Sequence, residues 1–543
     1  MNFLYLWVVK RTVYILLAAF VVLASIPWLV PHLGAFALFA FVPLLCADRI
    51  AEDAGIRHFL ALVYLAFVLW NAATTWWVCE ATVGGGIFAV LANAAQMWLV
   101  WAAFRLNKKR LKGCLSYILL ASAWVAWEKW YLVSAQISWP WLALGNAFAS
   151  TTSLVQWYSA TGLLGGSLWV WACNLSLFGL MVALSDGRFF SWNSKARVCS
   201  LAGTALVLLA PIIISEHIYR TYEQKDECGT LDVAIAQSDF DPYEKFVKYT
   251  QSEQNDCALR LFSNIGDGPL LLMTPETFTS DVVLNNIAAS PTVSSFMPLL
   301  ESHPRANLLL GSATVGYSYK KSAPSKVARS VGNAWVQSHN SALMLDHSGR
   351  ADVYHKSKLV VGTELLPYPD VFVPIDNMLG GVIARCEGQD RVECLPVHIY
   401  SESGCLEKEV PAGVAICYES VYPEHCAEYV RDGAQFLSVI TNDGWWGNTP
   451  GYRQHFSYSR LRAIETRRDI ARCANTGISA IIDQRGDVVS QTEWWTEDLL
   501  EGSVDLTEYQ TPFVKYGDVA GRVSCLLLIA VLLVLPASFI KKF

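Results

Sequence analysis

The stretch "GVAICYES", residues 413–420, predicts a short buried strand that ends on Cys417. A helix-like stretch, "VYPEHCAEYVRDG", follows it almost at once. In open α/β sheets, functional sites form at the carboxyl ends of strands, which is where this thiol stands. A buried structural cysteine is the simpler interpretation of Cys417. A catalytic interpretation therefore needs chemical partners elsewhere in the chain.

Two other strand ends carry such partners. The apolar run "LLLMTPETF" ends in Glu276, and "LDHSGR" is a hairpin turn before "VYHKSKL", which places Lys356 just past a strand. A carboxylate can take the proton of a thiol, and an ammonium can stabilise a thiolate and the oxyanion formed when it attacks a carbonyl. By spacing alone this set is weak evidence, because any long chain has such residues at strand ends.

The region around these residues alternates short β-rich runs with helix-like stretches from about residue 230 onwards. That alternation predicts an α/β domain over residues 220–515. Residues 370–411 fit the alternation poorly and are expected to form a long loop or insertion. This segment holds Cys386, Cys394 and Cys405, and an oxidising compartment would permit a disulfide whose pairing the sequence leaves open.

The rest of the chain has the composition of a membrane protein. Of its 543 residues, 53% are hydrophobic and only 16% are charged. Residues 1–219 are expected to form a bundle of about seven spans, and residues 516–543 a C-terminal transmembrane helix. The first run could instead be a signal peptide, but it is too long for one and leads almost directly into another apolar run. The expected spans are 9–30, 33–48, 57–78, 83–104, 115–135, 154–183, 198–215 and the apolar run that ends the chain.

Basic residues set the expected orientation. They cluster before the first span, after the last, and in alternate loops such as "RLNKKRLK" (105–112), so with eight spans every cluster is cytoplasmic. The long polar domain then lies outside, in the periplasm of a bacterium whose inner membrane holds the spans. The sequence has no basic stripe with interleaved aromatics, which argues against a nucleic-acid partner. It has no CxxC pairs either, so no metal site is predicted.

Glu128 and Lys129 interrupt the apolar pattern of the fifth span, in "WVAWEKWYLVS". We expect an interfacial Glu–Lys pair near the outer end of that span, where long side chains reach the head groups. A ligand-binding role for the two residues is the alternative.

The motifs together resemble a known family. "TPETF", "YHKSKL" and "GVAICYE" are similar, in order, to the three signature segments of the nitrilase (carbon–nitrogen hydrolase) superfamily, and residues 441–486 resemble the downstream block of its apolipoprotein N-acyltransferase branch. "SWPWLALGNA" (138–147) also resembles a loop in that branch's membrane part. The resemblance implies a multi-span helical bundle, an α/β nitrilase-type αββα sandwich outside the cytoplasm, and one C-terminal transmembrane helix.

The resemblance also implies roles for individual residues. Cys417 would be the nucleophile, Glu276 the general base and Lys356 the partner of the thiolate and the oxyanion. Lys358 is the rival lysine, and the Tyr-x-Lys-x-x-Leu frame selects Lys356. Three further residues would support the site: Glu364, Tyr418 and Glu419.

Four residues are implied in substrate binding: Phe246, Trp445, Trp446 and Gly145. Core or membrane-facing packing is the alternative for the two tryptophans, and capping of the following helix is the alternative for Glu419. The chain departs from the branch in "LVVGTE", "QSDFDP" and "RCAN", which puts loop shapes and acyl selectivity in doubt.

The implied reaction moves an acyl chain from a phospholipid, most simply the sn-1 chain of phosphatidylethanolamine, through a cysteine thioester to the N-terminal amine of a diacylglyceryl-cysteine lipoprotein. It needs no cofactor and no metal. One alternative is a membrane-tethered amidase or nitrilase. The other is a non-catalytic scaffold that binds lipoproteins, which an intact Glu–Lys–Cys set argues against.

Overall fold

The computed structural model describes residues 3–111, 113–266, 268, 270–378 and 385–540. The chain divides into two compact units. The membrane unit comprises residues 1–135, 139–222 and 516–543, and the α/β unit comprises residues 136–138 and 223–515.

The membrane unit is helical. Its helices of more than four residues are Phe3–Leu29, Val42–Asp53, Phe59–Thr75, Val83–Asn107, Leu115–Val133, Leu163–Ser185, Ser194–Thr221 and Val519–Ile540. Its single-turn helices are Val78–Ala81, Tyr158–Thr161 and Arg188–Ser191, with 3₁₀ turns at Gly34–Leu38, Pro140–Leu142, Leu144–Phe148 and Thr152–Leu154.

Within the described residues, five helical segments are long and apolar enough to cross a bilayer, by length and composition: Trp7–Leu29, Gly34–Asp53, Val83–Asn107, Leu163–Ser185 and Ser194–Thr221. Two shorter apolar helices cover Phe59–Thr75 and Val519–Leu535. The fold class expected for the N-terminal part, a bundle with several apolar helices, is confirmed. The count of eight spans stays a prediction.

The expected span 154–183 starts later in the structure. Its helix begins at Leu163, because Gly162 has a φ of +64° and breaks the helical path. The residues before that glycine form the 3₁₀ turn Thr152–Leu154 and the single turn Tyr158–Thr161 instead. An apolar run alone does not reveal this break, because the segment is hydrophobic on both sides of Gly162.

The Glu128–Lys129 pair expected at the interface does not form. The Glu128 carboxylate is buried, with 2% of the residue exposed, and accepts hydrogen bonds from Trp124 Nε1 at 3.0 Å and from the Leu144 N–H at 2.9 Å. Lys129 Nζ instead lies 3.0 Å from Asp518 Oδ2. Successive helical residues point in different directions, so neighbours in sequence are poorly placed to pair with each other.

The α/β unit contains two sheets. The first sheet holds the strands Thr230–Gln237 (β1), Leu270–Met273 (β2), Thr279–Val283 (β3), Ala306–Ser318 (β4), Arg329–Val331 (β5), Ala334–Leu345 (β6) and Ala351–His355 (β7), and also Asp498–Asp505 (β14). The second sheet holds Leu395–Tyr400 (β8), Leu406–Ile416 (β9), Phe436–Thr441 (β10), Ile470–Ala474 (β11), Ala480–Ile482 (β12) and Val488–Gln491 (β13).

The order of the first sheet is β14-β1-β2-β4-β6-β5, with β3 against β4 and β7 against β6. The order of the second is β13-β12-β11-β10-β9-β8. Strands β1, β2 and β4 run parallel, and so do β9, β10 and β11. Parallel neighbours bring the carboxyl ends of successive strands to one edge of each sheet.

Alternate side chains of each strand point to opposite faces, and the sandwich uses both. Val233 and Ile235 of β1 join Val414 and Ile416 of β9 in one core that includes residues of both sheets. Ala234 of β1 faces the other way, into a second core shared with the helices of the first sheet's outer face. The α/β unit therefore has the expected αββα layers, and the nitrilase-type fold class is confirmed.

Helices pack on both sheets: Gln251–Leu261 and Pro291–Ser302 pack on the first, and Pro423–Arg431 and Pro450–Thr466 pack on the second. The unit also contains the helices Pro369–Met378 and Pro512–Tyr516. The 3₁₀ turns are Phe262–Asn264, Ile287–Ala289, Cys417–Val421 and Asp443–Trp446.

The segment 370–411 differs from the expected long loop. It contains most of the helix Pro369–Met378, the strand β8 and the first half of β9, while residues 379–384 lie outside the described residues. Strand β8 pairs antiparallel with β9, beginning with Leu395 opposite Ala412. This pairing stabilises β8, whose sequence is too short to be recognised as a strand by itself. Cys386, Cys394 and Cys405 are all free cysteines.

Candidate active site

Cys417 stands at a sharp turn between β9 and the 3₁₀ turn Cys417–Val421. Its φ is +54°, the left-handed region that residues with a side chain rarely adopt. Such strain persists only where surrounding contacts enforce it. Two contacts hold the Cys417 carbonyl here: Ser420 Oγ donates to it at 2.8 Å, and His455 Nε2 lies 3.1 Å from it.

Lys356 follows β7 directly and is buried, with 1% of its surface exposed. Its Nζ donates to Glu276 Oε1 at 2.9 Å and to Glu364 Oε1 at 3.0 Å. An ammonium has three hydrogens, so these two contacts leave one for a thiolate or an oxyanion. Lys358 lies half-buried, and its Nζ is 5.7 Å from the centre of the Tyr422 ring. The structure thus brings Lys356, rather than its rival, to the two carboxylates.

Glu276 follows β2, and its carboxylate has two further donors that the sequence did not indicate. Asn340 Nδ2 donates to Glu276 Oε1 at 2.7 Å, and the Asn442 N–H donates to Oε2 at 3.1 Å. Asn340 Nδ2 also lies 2.7 Å from Glu364 Oε1. Lys356, Asn340 and the Asn442 N–H together hold both oxygens of the Glu276 carboxylate. The protein therefore fixes the orientation of this carboxylate and of its remaining lone pairs.

The approach of the Glu276 turn to the sheet depends on a glycine. A Cβ atom on Gly311 of β4 would lie 2.1 Å from the Pro275 carbonyl oxygen and 2.9 Å from the Glu276 Cα. Any larger residue at this position would push the turn away from the strand.

The charges around Cys417 favour a protonated thiol in the resting site. Withdrawal of the sulfur from water raises the pKa of Cys417 well above its usual value, the Glu276 carboxylate raises it further, and the Lys356 ammonium opposes both. Burial by itself would lower the pKa of Lys356, but Glu276 and Glu364 hold that pKa well above its usual value. The pair therefore consists of an ammonium and a thiol, and a nucleophilic role for Cys417 would require a base that removes the thiol proton.

Glu419 is fully buried and braces the turn rather than capping the helix after it. Its Oε2 accepts from the Ile416 N–H at 2.7 Å, and its Oε1 accepts from the Ser357 N–H at 2.7 Å and from the Tyr354 hydroxyl at 2.8 Å. Burial would raise the pKa of Glu419, but His425 and these donors hold it below its usual value. One carboxylate thus joins the segment that carries Lys356 to the strand that carries Cys417.

A buried ion cluster lies behind the thiol, and sequence patterns did not reveal it as a site component. Asp443 Oδ1 lies 2.8 Å from His455 Nδ1, and Arg472 donates to Asp443 Oδ2 at 2.6 Å. Burial would raise the pKa of Asp443, but His455 and Arg472 hold it at about 2. The Cys417 sulfur, an Asp443 oxygen and a His455 nitrogen lie within 4.8 Å of one another. Such a group can ligate a metal, but the Asp443 carboxylate already contacts His455 and Arg472.

The residues implied in substrate binding are more dispersed. Phe246 and Trp445 are exposed, with 52% and 39% of their surfaces accessible, and Trp446 is half-buried with its ring edge-on to His455 at 5.6 Å. Tyr418 is buried and its hydroxyl donates to the Ser138 carbonyl at 3.1 Å. Gly145 belongs to the membrane unit, where its N–H donates to Ser167 Oγ at 3.0 Å and a Cβ would lie 2.2 Å from the Leu163 carbonyl oxygen.

Comparison with known proteins decides the family. Residues 7–176 match the family described as the apolipoprotein N-acyltransferase N-terminal domain, and residues 312–511 match the family described as carbon-nitrogen hydrolase. A protein named apolipoprotein N-acyltransferase from Chlorobaculum tepidum is 29% identical, over 94% of this chain and 93% of its own length. The chain is similar to apolipoprotein N-acyltransferases over nearly its whole length. The resemblance seen in the sequence is thereby confirmed.

A second relative carries the same name. A protein of the same name from Geobacter metallireducens is 25% identical, again over 94% of this chain and 93% of its own length. Among solved structures, the Saccharomyces cerevisiae nitrilase-superfamily protein Nit3 is 16% identical over 51% of this chain and 90% of its own, with a TM-score of 0.34. This similarity to apolipoprotein N-acyltransferases, together with the apolar helices, indicates a membrane protein.

The apolipoprotein N-acyltransferase resemblance and the structure thus supply different parts of the site. The family motifs select Glu276, Lys356 and Cys417, while the structure adds Asn340, the Asn442 N–H and the cluster around Asp443. A polar asparagine inside β6 was the available signal for Asn340, because a buried amide in a strand needs partners. Asp443 looked like an ordinary turn residue in the sequence.

Proposed function

We propose that this chain transfers an acyl chain from a phospholipid to the N-terminal amine of a diacylglyceryl-cysteine lipoprotein, through a thioester on Cys417. The observation that carries the proposal is the buried Lys356–Glu276 contact of 2.9 Å on a chain of the apolipoprotein N-acyltransferase family. Lipoprotein N-acylation follows from the family, and the phospholipid donor and the thioester are the further steps proposed here.

In the first half-reaction, the Glu276 carboxylate takes the Cys417 proton and the thiolate attacks the sn-1 ester carbonyl of the phospholipid, with phosphatidylethanolamine as the expected donor. The C–S bond forms while the carbonyl electrons move onto oxygen. The Lys356 ammonium and the Tyr418 N–H are the proposed donors to that oxyanion. When the intermediate collapses, the C–O bond breaks and the leaving lysophospholipid oxygen takes the proton from Glu276.

In the second half-reaction, the neutral α-amine of the lipoprotein attacks the thioester carbonyl. The C–N bond forms, the C–S bond breaks, and the proton that the amine loses passes to Glu276. The departing Cys417 thiolate then regains that proton. Exclusion of water protects the thioester from hydrolysis between the two steps. The apolar helices would retain the enzyme in the inner membrane, with the α/β unit on the periplasmic side, where the outer leaflet holds both lipid substrates.

The experiment uses membranes that contain the full chain and a phospholipid labelled in its sn-1 acyl chain. We expect label on the protein that hydroxylamine removes, as it does from a thioester, and that moves to the amine of an added diacylglyceryl lipopeptide. An amidase would release the acyl group to water without N-acylating the lipopeptide, and a scaffold would acquire no covalent label. Either of those outcomes would overturn the proposal.

A further inference from the structure

A second buried lysine lies beside the Glu276 turn. Lys245, in the segment between β1 and the helix Gln251–Leu261, has 1% of its surface exposed. Its Nζ donates to the Thr277 carbonyl at 2.6 Å. Gln254 Nε2 in turn donates to the Lys245 carbonyl at 2.9 Å, so the lysine backbone is fixed from the following helix.

The acceptor of that hydrogen bond is in a strained conformation. Thr277 has a φ of +47°, which a residue with a branched side chain rarely adopts. This threonine comes directly after Glu276, so its backbone turn determines where the Glu276 side chain starts. A charge-assisted hydrogen bond to its carbonyl offsets the cost of the strain.

The buried ammonium also acts on the carboxylate through space. Burial lowers the pKa of Lys245 to about 7, and the Glu276 carboxylate works against that lowering. The interaction is mutual, so a positive charge on Lys245 also attracts the negative charge of the Glu276 carboxylate.

We propose that Lys245 is a positioning residue for the general base: its ammonium holds the Thr277 carbonyl, and thereby the turn that aims Glu276, and supplies a positive charge beside the carboxylate. This inference rests on the proposed role of Glu276 in activating Cys417. It adds a second cation to the site, distinct from Lys356, which contacts the Glu276 side chain itself.

Several titratable groups besides Lys245 act on Glu276, on Lys356 or on the Cys417 thiol, and the test leaves them unchanged. They are Lys356 and Glu364 after β7, Cys417 after β9 and Asp443 after β10.

The test uses the full chain in detergent micelles and two substitutions. Lys245→Met removes the hydrogen bond and the charge, and Lys245→Gln removes the charge but keeps an N–H donor. Lys248→Met is the matched control, because Lys248 lies on the same segment but is exposed and pairs with Glu244 at 2.8 Å.

Two rates are measured from pH 5 to 9. One is acyl-enzyme formation from phosphatidylethanolamine that carries a tagged sn-1 chain. The other is alkylation of Cys417 by iodoacetamide, followed by mass spectrometry of the peptide that contains it. We expect Lys245→Met to slow acyl-enzyme formation by about 10²-fold, the effect of a misplacement of roughly 1 Å at a catalytic group. Lys245→Gln should slow it less, and Lys248→Met should match the wild type.

The pH dependence of the two rates shows whether Lys245 positions Glu276 or only stabilises the fold. In both Lys245 variants, the acidic limb of the alkylation profile should move to higher pH, because the carboxylate has lost a neighbouring cation. The inference would be overturned if both rates were unchanged in the two Lys245 variants. It would also be overturned if the rates fell equally at every pH and the acidic limb of the alkylation profile stayed at the wild-type pH in both variants. If the wild type forms no acyl-enzyme at all, the proposed function fails instead.

Discussion

The Lys356 ammonium lies 2.9 Å from the Glu276 carboxylate, although the two residues follow different strands of the first sheet, β7 and β2. Cys417 comes from the second sheet, so the proposed chemistry requires both layers of the sandwich.

Cys417→Ala should abolish acyl transfer while the protein still inserts in the membrane. Cys417→Ser should also be inactive, because an alkoxide is harder to generate than a thiolate. Transfer of labelled acyl chain to a lipopeptide measures activity, and membrane fractionation measures insertion. Wild-type N-acylation by the alanine variant would rule out a Cys417 thioester.

Lys356→Ala should lower the rate of acyl transfer by about 10²–10³-fold, the typical cost of losing one oxyanion donor. Lys358→Ala should retain most of the activity, because the Lys358 side chain lies over the Tyr422 ring instead of between the two glutamates. The same transfer assay compares the two. The reverse order of activities would show that Lys358 is the functional lysine.

Glu276→Gln should stall the first half-reaction. The thiol pKa is raised, so without a carboxylate base Cys417 stays protonated and no acyl-enzyme accumulates. Incubation with phospholipid, without a lipoprotein acceptor, and detection of the labelled protein on a gel measure this step. Normal accumulation would direct the search for the base to Glu364 and Glu419.

Gly311→Ala should lower activity by about 10²-fold without loss of the fold, because the added Cβ displaces the Pro275–Glu276 turn from β4. The matched control is Gly316→Ala on the same strand, where a Cβ would meet only Leu284 Cδ1 at 3.5 Å. Acyl-enzyme formation and the midpoint of thermal unfolding are measured for both. Equal activities would mean that the turn tolerates the displacement.

Asp443 should contribute to stability in a pH-dependent way. Its pKa is about 2 in the folded chain, against about 3.9 in an unfolded one. A lowered pKa stabilises the folded state fully above about pH 4, and the contribution, roughly 3 kcal/mol, is lost as the pH falls from about 4 to about 2. In Asp443→Asn the free energy of unfolding should depend less on pH in this window.

The same variant should also be less stable at neutral pH, by roughly 3–5 kcal/mol, since His455 and Arg472 lose their buried partner. Midpoints of thermal unfolding in detergent, measured for wild type and variant from pH 7 down to pH 2, test both points. Parallel curves for the two proteins would contradict the linkage.

The sequence alone predicted the strand ends that carry the site and the layered fold, because both depend on local patterns of apolar residues. The apolar runs in the sequence place Cys417, Glu276 and Lys356 at the ends of strands, but they do not reveal how close the three side chains lie in space. The resemblance to a family selected among them, whereas spacing alone was too weak to do so.

The contacts between strands could not be predicted in this way. That Asn340 and the Asn442 N–H would meet Glu276 depends on which strands are neighbours and how the two sheets pack. Strand β8 was missed because it is stabilised by its pairing with β9. Glu128 and Lys129 likewise have different partners: the Leu144 N–H in a following turn binds Glu128, and Asp518, far along the chain, pairs with Lys129.

The position of Glu419 has a consequence for how the enzyme comes to be active after synthesis. One carboxylate binds the Ile416 N–H next to Cys417 and the Ser357 N–H next to Lys356. A nascent chain whose β9 has not yet docked on the first sheet carries Cys417 with neither Glu276 nor Lys356 beside it. Under the proposed function, reactivity toward lipid esters would therefore arise only when folding is complete, and incomplete copies would neither acylate themselves nor cleave the phospholipids around them.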